Sequence, residues 1–384
     1  MRRTRWTLAL MGAALGACSP ADAVDRIFAT ETGAIRVATL AEGLSHPWAI
    51  DFLPDGRIVV TERPGRLRLV AADGQISDPV AGLPEVDARG QGGLLDVAVH
   101  PDFAANRLIY LTYAEPGDGG ANSTAAARGR LSADGARLED VEVLFRQEPK
   151  VRSTKHYGSR LVFDGAGRLF VTTGERSDAR YRTQAQDLDS LLGKIVRLNE
   201  DGSIPGDNPF LGRAGARPEI WSYGHRNIQG AAIHPETGEL WEIEHGPRGG
   251  DEINIARAGV NYGWPVVSHG VNYDGSAVGT GRRQAAGMAD PLVTWTPVIA
   301  PSGMVFYRGA AFPAWAGDLL IGGLRSQALV RLELDGERVV AEERLLRPLD
   351  RRIRDVAVGP GGAVYVATDE RKGEILRITP AEGR

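Results

Sequence analysis

The chain has 384 residues, of which 42% are hydrophobic and 24% charged, and its formal net charge is −4. This balance excludes a disordered or fibrous chain, and the absence of a basic excess excludes a nucleic-acid-binding face. Its 49 glycines and 22 prolines predict many turns, and therefore many short strands.

The first segment reads as a targeting signal. MRRTR is basic, WTLALMGAALGA is apolar but short, and Leu15-Gly16-Ala17-Cys18 has the small residues of a lipoprotein processing box. Cys18 is the only cysteine, so it is expected to carry lipid. Residues 1–17 are read as a lipoprotein signal peptide and 18–34 as an N-terminal tether. Losing Arg2, Arg3 and Arg5 takes 45 Lys and Arg to 42 against 49 Asp and Glu, a net charge of −7. No later stretch is apolar and long enough to cross a bilayer. The expected location is periplasmic, lipid-anchored at the outer membrane, with membrane contact through Cys18.

Residues 35–380 are read as one domain in which a single phrase recurs: an apolar strand, a turn, a second apolar strand. It occurs at 49–62, 94–114, 159–175, 230–245, 303–323 and 353–370. The connectors DG, GAG, ETG and GG are hairpin turns, and the flanks show strand-like alternation. Six such hairpins predict an all-β fold, a six-bladed β-propeller of four-stranded antiparallel blades. No strong amphipathic helix is expected; LDSLLGKIV (188–196) runs into a strand. Residues 115–130 and 269–290 are Gly-rich and read as surface loops.

Of seven histidines, His100 and His234 precede Pro at equivalent points of two repeats and read as turn residues. His156 stands apart, among polar residues just before a strand, as a general base would. Arg226 and Asn227 precede another repeat strand and suit carboxylate and carbonyl oxygens. Glu244, Asp251 and Glu252 lie within nine residues beside a Gly/Pro turn, a pattern compatible with calcium and unlike an EF-hand. Arg352 and Arg354, two apart in a strand, share a face and imply an anionic ligand or a paired acid.

The strings GQGGLLDVAVHPDF, GSRLVFDGAGRLF, EIWSYGHRNIQG, EHGPRGGDEIN, NYGWP and RIRDVAVGP resemble those of the soluble pyrroloquinoline-quinone (PQQ) glucose/aldose sugar dehydrogenases. The likeness runs from about residue 40 to about 377 and is closer to the aldose sugar branch. It implies oxidation of an aldose C1 hydroxyl to the lactone, with PQQ and Ca²⁺ as cofactors and an external electron acceptor. It implies His156 as general base and Arg226 as stabiliser of charge on the quinone. Gln91, Asn227, Tyr273, Arg325, Arg352 and Arg354 are implied as cofactor-binding. Gly246 and Pro247 would hold an active-site calcium by their carbonyls, and Glu252 and Tyr262 a structural one. His245 stands where the glucose type has glutamine, and Arg325 where it has lysine, which bears on sugar preference. A monomer or homodimer is expected. Two rivals stay open: a calcium-dependent propeller lactonase or other hydrolase, which would not need the arginines, and a non-enzymatic ligand-binding propeller.

Overall fold

A computed structural model describes residues 23–381. The signal peptide and Cys18 lie outside the described residues. Six antiparallel sheets are arranged radially as a β-propeller. Their innermost strands are Pro47–Phe52, Leu94–Val99, Gly158–Phe163, Ile228–Ile233, Pro301–Phe306 and Ile353–Val358. Each packs on the next, and the last packs on the first, closing a ring around a central channel. All six expected hairpins are the inner two strands of a blade. Among the described residues, no helix is long and apolar enough to cross a membrane.

The packing explains which strands alternate. Second strands such as Ile58–Glu62, Leu169–Thr173 and Leu319–Gly323 are buried at every position. Both their faces lie against neighbouring blades. The outermost strand Arg338–Leu345 instead alternates exposed and half-buried residues, as a strand with one solvated face does.

Four blades have four strands. The blade starting at Pro47 has three; residues 77–80 run beside its third strand, Ser77 N–H and Val80 N–H donating to Leu69 O and Leu67 O, but Pro79 cannot donate to a ladder there. The last blade has five. Gly33–Leu44 pairs with Gly373–Pro380, fastening the chain's beginning to its end, and Asp25–Thr30 pairs outside it. From Asp25 the chain belongs to this sheet, and Ile35 and Val37, at the start of the expected propeller domain, are buried in the core. The expected loop at 115–130 is corrected. Leu108–Pro116 and Asn122–Leu131 form one long hairpin around the turn Asp118–Gly120. Ala125, Ala126 and Ala127 are buried there; their small side chains suit close blade packing rather than a flexible loop. Residues 269–290 are loop, as expected.

Every inner strand carries a bulge near its start, for instance between Gly158 and Leu161 and between Ile353 and Asp355. Bulges re-aim side chains and increase local twist. Repeated six times, they lie at the same end of the channel, where the inner strands begin.

Candidate active site

First strands begin, and second strands end, at this same end of the channel. Strand beginnings supply Trp48, Gln91, His156, Arg226, Asn227 and the Arg352/Arg354 pair. Strand ends supply Arg63, Glu175, His245 and Asp369. The opposite end has a larger opening of about 1300 Å³, but its histidines serve turns. His100 Nδ1 accepts the Asp102 N–H and His234 Nδ1 accepts those of Glu236 and Thr237.

His156 is 6% exposed. Its Nδ1 is 2.7 Å from Glu175 Oε1, and its backbone N–H donates to Gln91 Oε1 at 2.8 Å. The residue sits at φ 48°, the left-handed region that non-glycine residues seldom adopt. The surrounding backbone enforces this. A Cβ on Gly174 would meet the His156 carbonyl oxygen at 2.1 Å, so only glycine permits the approach. Burial, and then the Arg226 charge, lower the His156 pKa, with Glu175 opposing.

Arg226 and Asn227 bridge two blades. Arg226 O accepts the Glu175 N–H, while Glu244 Oε2 accepts the N–H groups of Arg226 (2.5 Å) and Asn227 (3.0 Å). Arg226 Nη1 donates to the carbonyls of His245 and Gly246, both at 2.8 Å. The guanidinium carbon lies 5.1 Å from the Trp264 ring centroid. The buried Arg226 Nε has no hydrogen-bond partner among the described residues.

Beside them is a cavity of about 200 Å³ lined by Trp48, Arg63, Gln91, Asn227, Arg352 and Arg354, among others. Among the described residues, Asp369 is the one carboxylate in its wall. Arg354 Nη2 donates to Asp369 Oδ2 at 2.6 Å and Arg354 Nη1 to Gln229 Oε1 at 3.2 Å. Arg354 Nε is buried and unpartnered among the described residues. His245 lines this cavity and also a smaller one, of about 20 Å³, beside Arg226, Gly246, Pro247, Glu252 and Tyr262. Burial pushes the His245 pKa down to about 3, so the ring is neutral and donates from Nε2 to Pro301 O at 2.6 Å.

An acidic cluster backs the smaller cavity. Glu242 and Glu244 face His225 Nδ1 at 3.6 and 3.3 Å, and Glu252 pairs across the sheet from Glu244. Burial and the charges of Glu244 and Glu242 push the Glu252 carboxyl well up. Glu242 Oε2 is buried without a partner among the described residues. Excess buried carboxylate fits a hard cation. The Tyr262 hydroxyl is committed to the backbone, accepting from Arg257 N and donating to Ile255 O, so its carbonyl is the group left for a metal. The Gly246 carbonyl already accepts from Arg226; a cation there would share or displace that bond. The arginine-lined cavity, with its orphaned buried N–H, fits a polycarboxylate.

The structure thus brings together Gln91, His156, Arg226, Asn227, Gly246, Pro247, Glu252, Tyr262, Arg352 and Arg354. It does not bring in Tyr273, which is 74% exposed on the 269–290 loop, nor the exposed side chain of Arg325. Only the Arg325 backbone is near the wall, its N–H donating to Ile299 O beside Ala300. Sequence reasoning missed Trp48, Arg63, Glu175 and Asp369. All but Trp48 lie at second-strand ends, where the repeat itself was the available signal.

The chain matches the family model described as Glucose / Sorbosone dehydrogenase over residues 44–377. It is 47% identical to aldose sugar dehydrogenase YliI of Escherichia coli, over 90% of this chain and 93% of that protein. It is 30% identical to quinoprotein glucose dehydrogenase B of Acinetobacter calcoaceticus, over 86% and 84%. A solved PQQ-bound aldose sugar dehydrogenase from Streptomyces coelicolor superposes with a TM-score of 0.73 at 28% identity, covering 94% of this chain and 99% of that one. With the family match spanning most of the propeller, this chain belongs to the glucose/sorbosone dehydrogenase family.

Proposed function

We propose that the protein is a PQQ- and calcium-dependent aldose sugar dehydrogenase that oxidises the C1 hydroxyl of a sugar to the lactone. The observation that carries this reading is a buried His156–Glu175 pair beside a cavity walled by arginines. A histidine base suits proton removal from a hydroxyl, and the guanidiniums suit a polycarboxylate cofactor.

With the Nδ1 proton directed at Glu175, the lone pair of His156 is on Nε2. Nε2 takes the hydroxyl proton of the sugar. PQQ, when bound, supplies the two-electron acceptor for the hydride leaving C1, chemistry that no side chain provides. Arg226 places a guanidinium beside the reacting region and stabilises negative charge on the acceptor. Gln91 and Asn227 offer polar groups to the cofactor while holding the His156 loop: Asn227 Oδ1 accepts the Gly158 N–H at 3.1 Å. Arg352 and Arg354 bind cofactor carboxylates. Gly246 and Pro247 offer carbonyls to an active-site calcium, and Glu252 with the Tyr262 carbonyl to a second. Tyr273 and Arg325 belong to the same reading only if the 269–290 loop and the Arg325 side chain turn inward on binding. Electrons pass on to an external acceptor. The protein acts in the periplasm, lipid-anchored at Cys18.

The test is turnover of aldoses with a dye acceptor by protein loaded with PQQ and Ca²⁺. His156→Ala is expected to lower kcat by about 10²–10⁴-fold and to retain PQQ binding. Turnover of no aldose, or lactone hydrolysis without PQQ, would overturn the reading in favour of a lactonase or a binding propeller.

A further inference from the structure

Arg63 follows the second strand of the first blade, Ile58–Glu62, and lines the 200 Å³ cavity. Its backbone is pinned on both sides. The N–H donates to His46 O and the carbonyl accepts from Leu94 N, both at 3.1 Å. A Cβ on Gly93 would meet that carbonyl oxygen at 1.8 Å, so the two blades touch through this point. The side chain, by contrast, has no hydrogen bond or ion pair within 4.0 Å among the described residues. The acid preceding it is already neutralised: Glu62 is held by Arg66 and Arg68 at 2.7 and 3.0 Å.

Asp369 is the carboxylate that Arg63 feels through the cavity. Asp369 is itself claimed three times, by Arg354 at 2.6 Å, Arg352 at 3.6 Å and His46 at 3.1 Å. Three guanidiniums therefore share one carboxylate, an excess of two positive charges in a partly enclosed wall. Such an excess is costly without an anion, and Arg354 Nε points the same way by lacking a partner. Arg63 reaches this cluster from the blade adjoining the one that carries Arg352 and Arg354, so the guanidiniums approach from two sides.

We propose that Arg63, Arg352 and Arg354 form one three-guanidinium subsite for a planar polycarboxylate, with Asp369 as its internal counter-charge. This rests on the PQQ reading, since PQQ is a tricarboxylate, and it adds Arg63 to the residues that hold it.

Calorimetric titration of the full chain with two probes, PQQ and benzene-1,3,5-tricarboxylate, tests the subsite. Arg63→Gln is expected to weaken both by about tenfold to a hundredfold, the loss of one charged hydrogen-bonding group. The salt dependence of binding should fall in parallel. Arg63→Lys should recover part of the affinity, keeping charge without the planar fork. The melting temperature without probe should not fall below the wild-type value, because the side chain bonds to nothing in the fold and its loss relieves the crowding of positive charge. Wild-type affinity of Arg63→Gln for both probes overturns the subsite. Wild-type protein that binds the tricarboxylate but not PQQ, with Arg63→Gln losing it, keeps the subsite and sinks the PQQ reading. Wild-type protein that binds neither overturns both.

Discussion

Glu175 Oε1 stands 2.7 Å from Nδ1 of His156, and the other oxygen of that carboxylate accepts the Ser177 N–H at 2.8 Å. The carboxylate is thus anchored on one side and orients the imidazole on the other. Burial and Arg226 pull the His156 pKa below its ordinary 6.5, while Glu175 pulls upward. The neutral base therefore persists to lower pH than a free histidine would allow. The acid limb of kcat/KM is expected below pH 6.5. In Glu175→Gln the upward pull is gone, so that limb should move lower still. At the same time kcat should drop by about tenfold or more, because an amide fixes the tautomer less firmly. pH–rate profiles of the two proteins check both signs; an acid limb that moves up in the variant would contradict the pairing.

Arg176, next in the chain, holds the His156 loop by its backbone. Its guanidinium donates to Lys155 O (3.0 Å), Ser153 O (2.6 Å) and Asn122 O (3.0 Å), and its carbon lies 4.0 Å from the Tyr157 ring centroid. The side chain is buried and forms no ion pair within 4.0 Å among the described residues, so carbonyl dipoles solvate its charge. Arg176→Met should destabilise the fold by about 1–3 kcal/mol, because it removes the charged donor that ties Lys155 O, Ser153 O and Asn122 O together, although Asn122 O keeps the Val151 N–H. If Arg176 positions His156, the variant's kcat should fall with sugar KM little changed, and its acid limb should shift. Denaturant titration combined with pH-resolved kinetics separates positioning from a purely structural role.

Much of this fold is legible in the sequence because a propeller repeats its hairpin, and all six inner hairpins are visible as paired apolar runs, four of them around a DG, GAG, ETG or GG turn. The ring closure was not. Ile35 and Val37 open the expected domain, but nothing local in the sequence names their partners Pro380 and Ile378, more than 300 residues away. Ala125–Ala127 likewise carry a loop-like composition whose burial depends on blade spacing. The site divides in the same way. Residues at the start of a first strand, such as His156 and Arg226, are marked by polar character before an apolar run. Arg63, Glu175 and Asp369 follow apolar strands whose charged ends resemble ordinary solvated turns. Their meaning depends on six strand ends meeting at one mouth.

The acidic cluster predicts a calcium-dependent fold. Glu242, Glu244 and Glu252 are all buried or nearly so, and burial with mutual repulsion pushes Glu242 and Glu252 up. A cation bound there stabilises the native state by mass action, about 2.7 kcal/mol at a hundredfold excess over Kd. Chelator should therefore lower the melting temperature, and added Ca²⁺ should restore it. Glu252→Gln removes one of the repelling charges, so it should melt higher than the wild type in chelator yet respond little to Ca²⁺. Thermal melts in EDTA and in CaCl₂ decide this; an identical Ca²⁺ response in both proteins would place the metal elsewhere.

Lys194 offers a test of how this propeller carries a buried charge behind its site. The ammonium is fully buried and donates to Gln184 O (2.8 Å), Ala185 O (3.0 Å) and Leu192 O (2.6 Å). The same loop accepts Gly224 N–H at Ala185 O and His225 N–H at Gly193 O, so it braces the residues leading into Arg226. Lys194→Met should cost about 1–3 kcal/mol, because Leu192 O loses its donor while Ala185 O keeps the Gly224 N–H and Gln184 O that of Asp187. Burial lowers the Lys194 pKa from 10.5 to about 7. Between those values the unfolded chain binds a proton that the native state lacks, so stability from this group rises with pH across that window. Unfolding free energies measured from pH 6 to 10 should therefore climb in the wild type relative to Lys194→Met. A constant difference between the two would mean that the carbonyl cage keeps the ammonium charged, with dipoles offsetting what burial takes away.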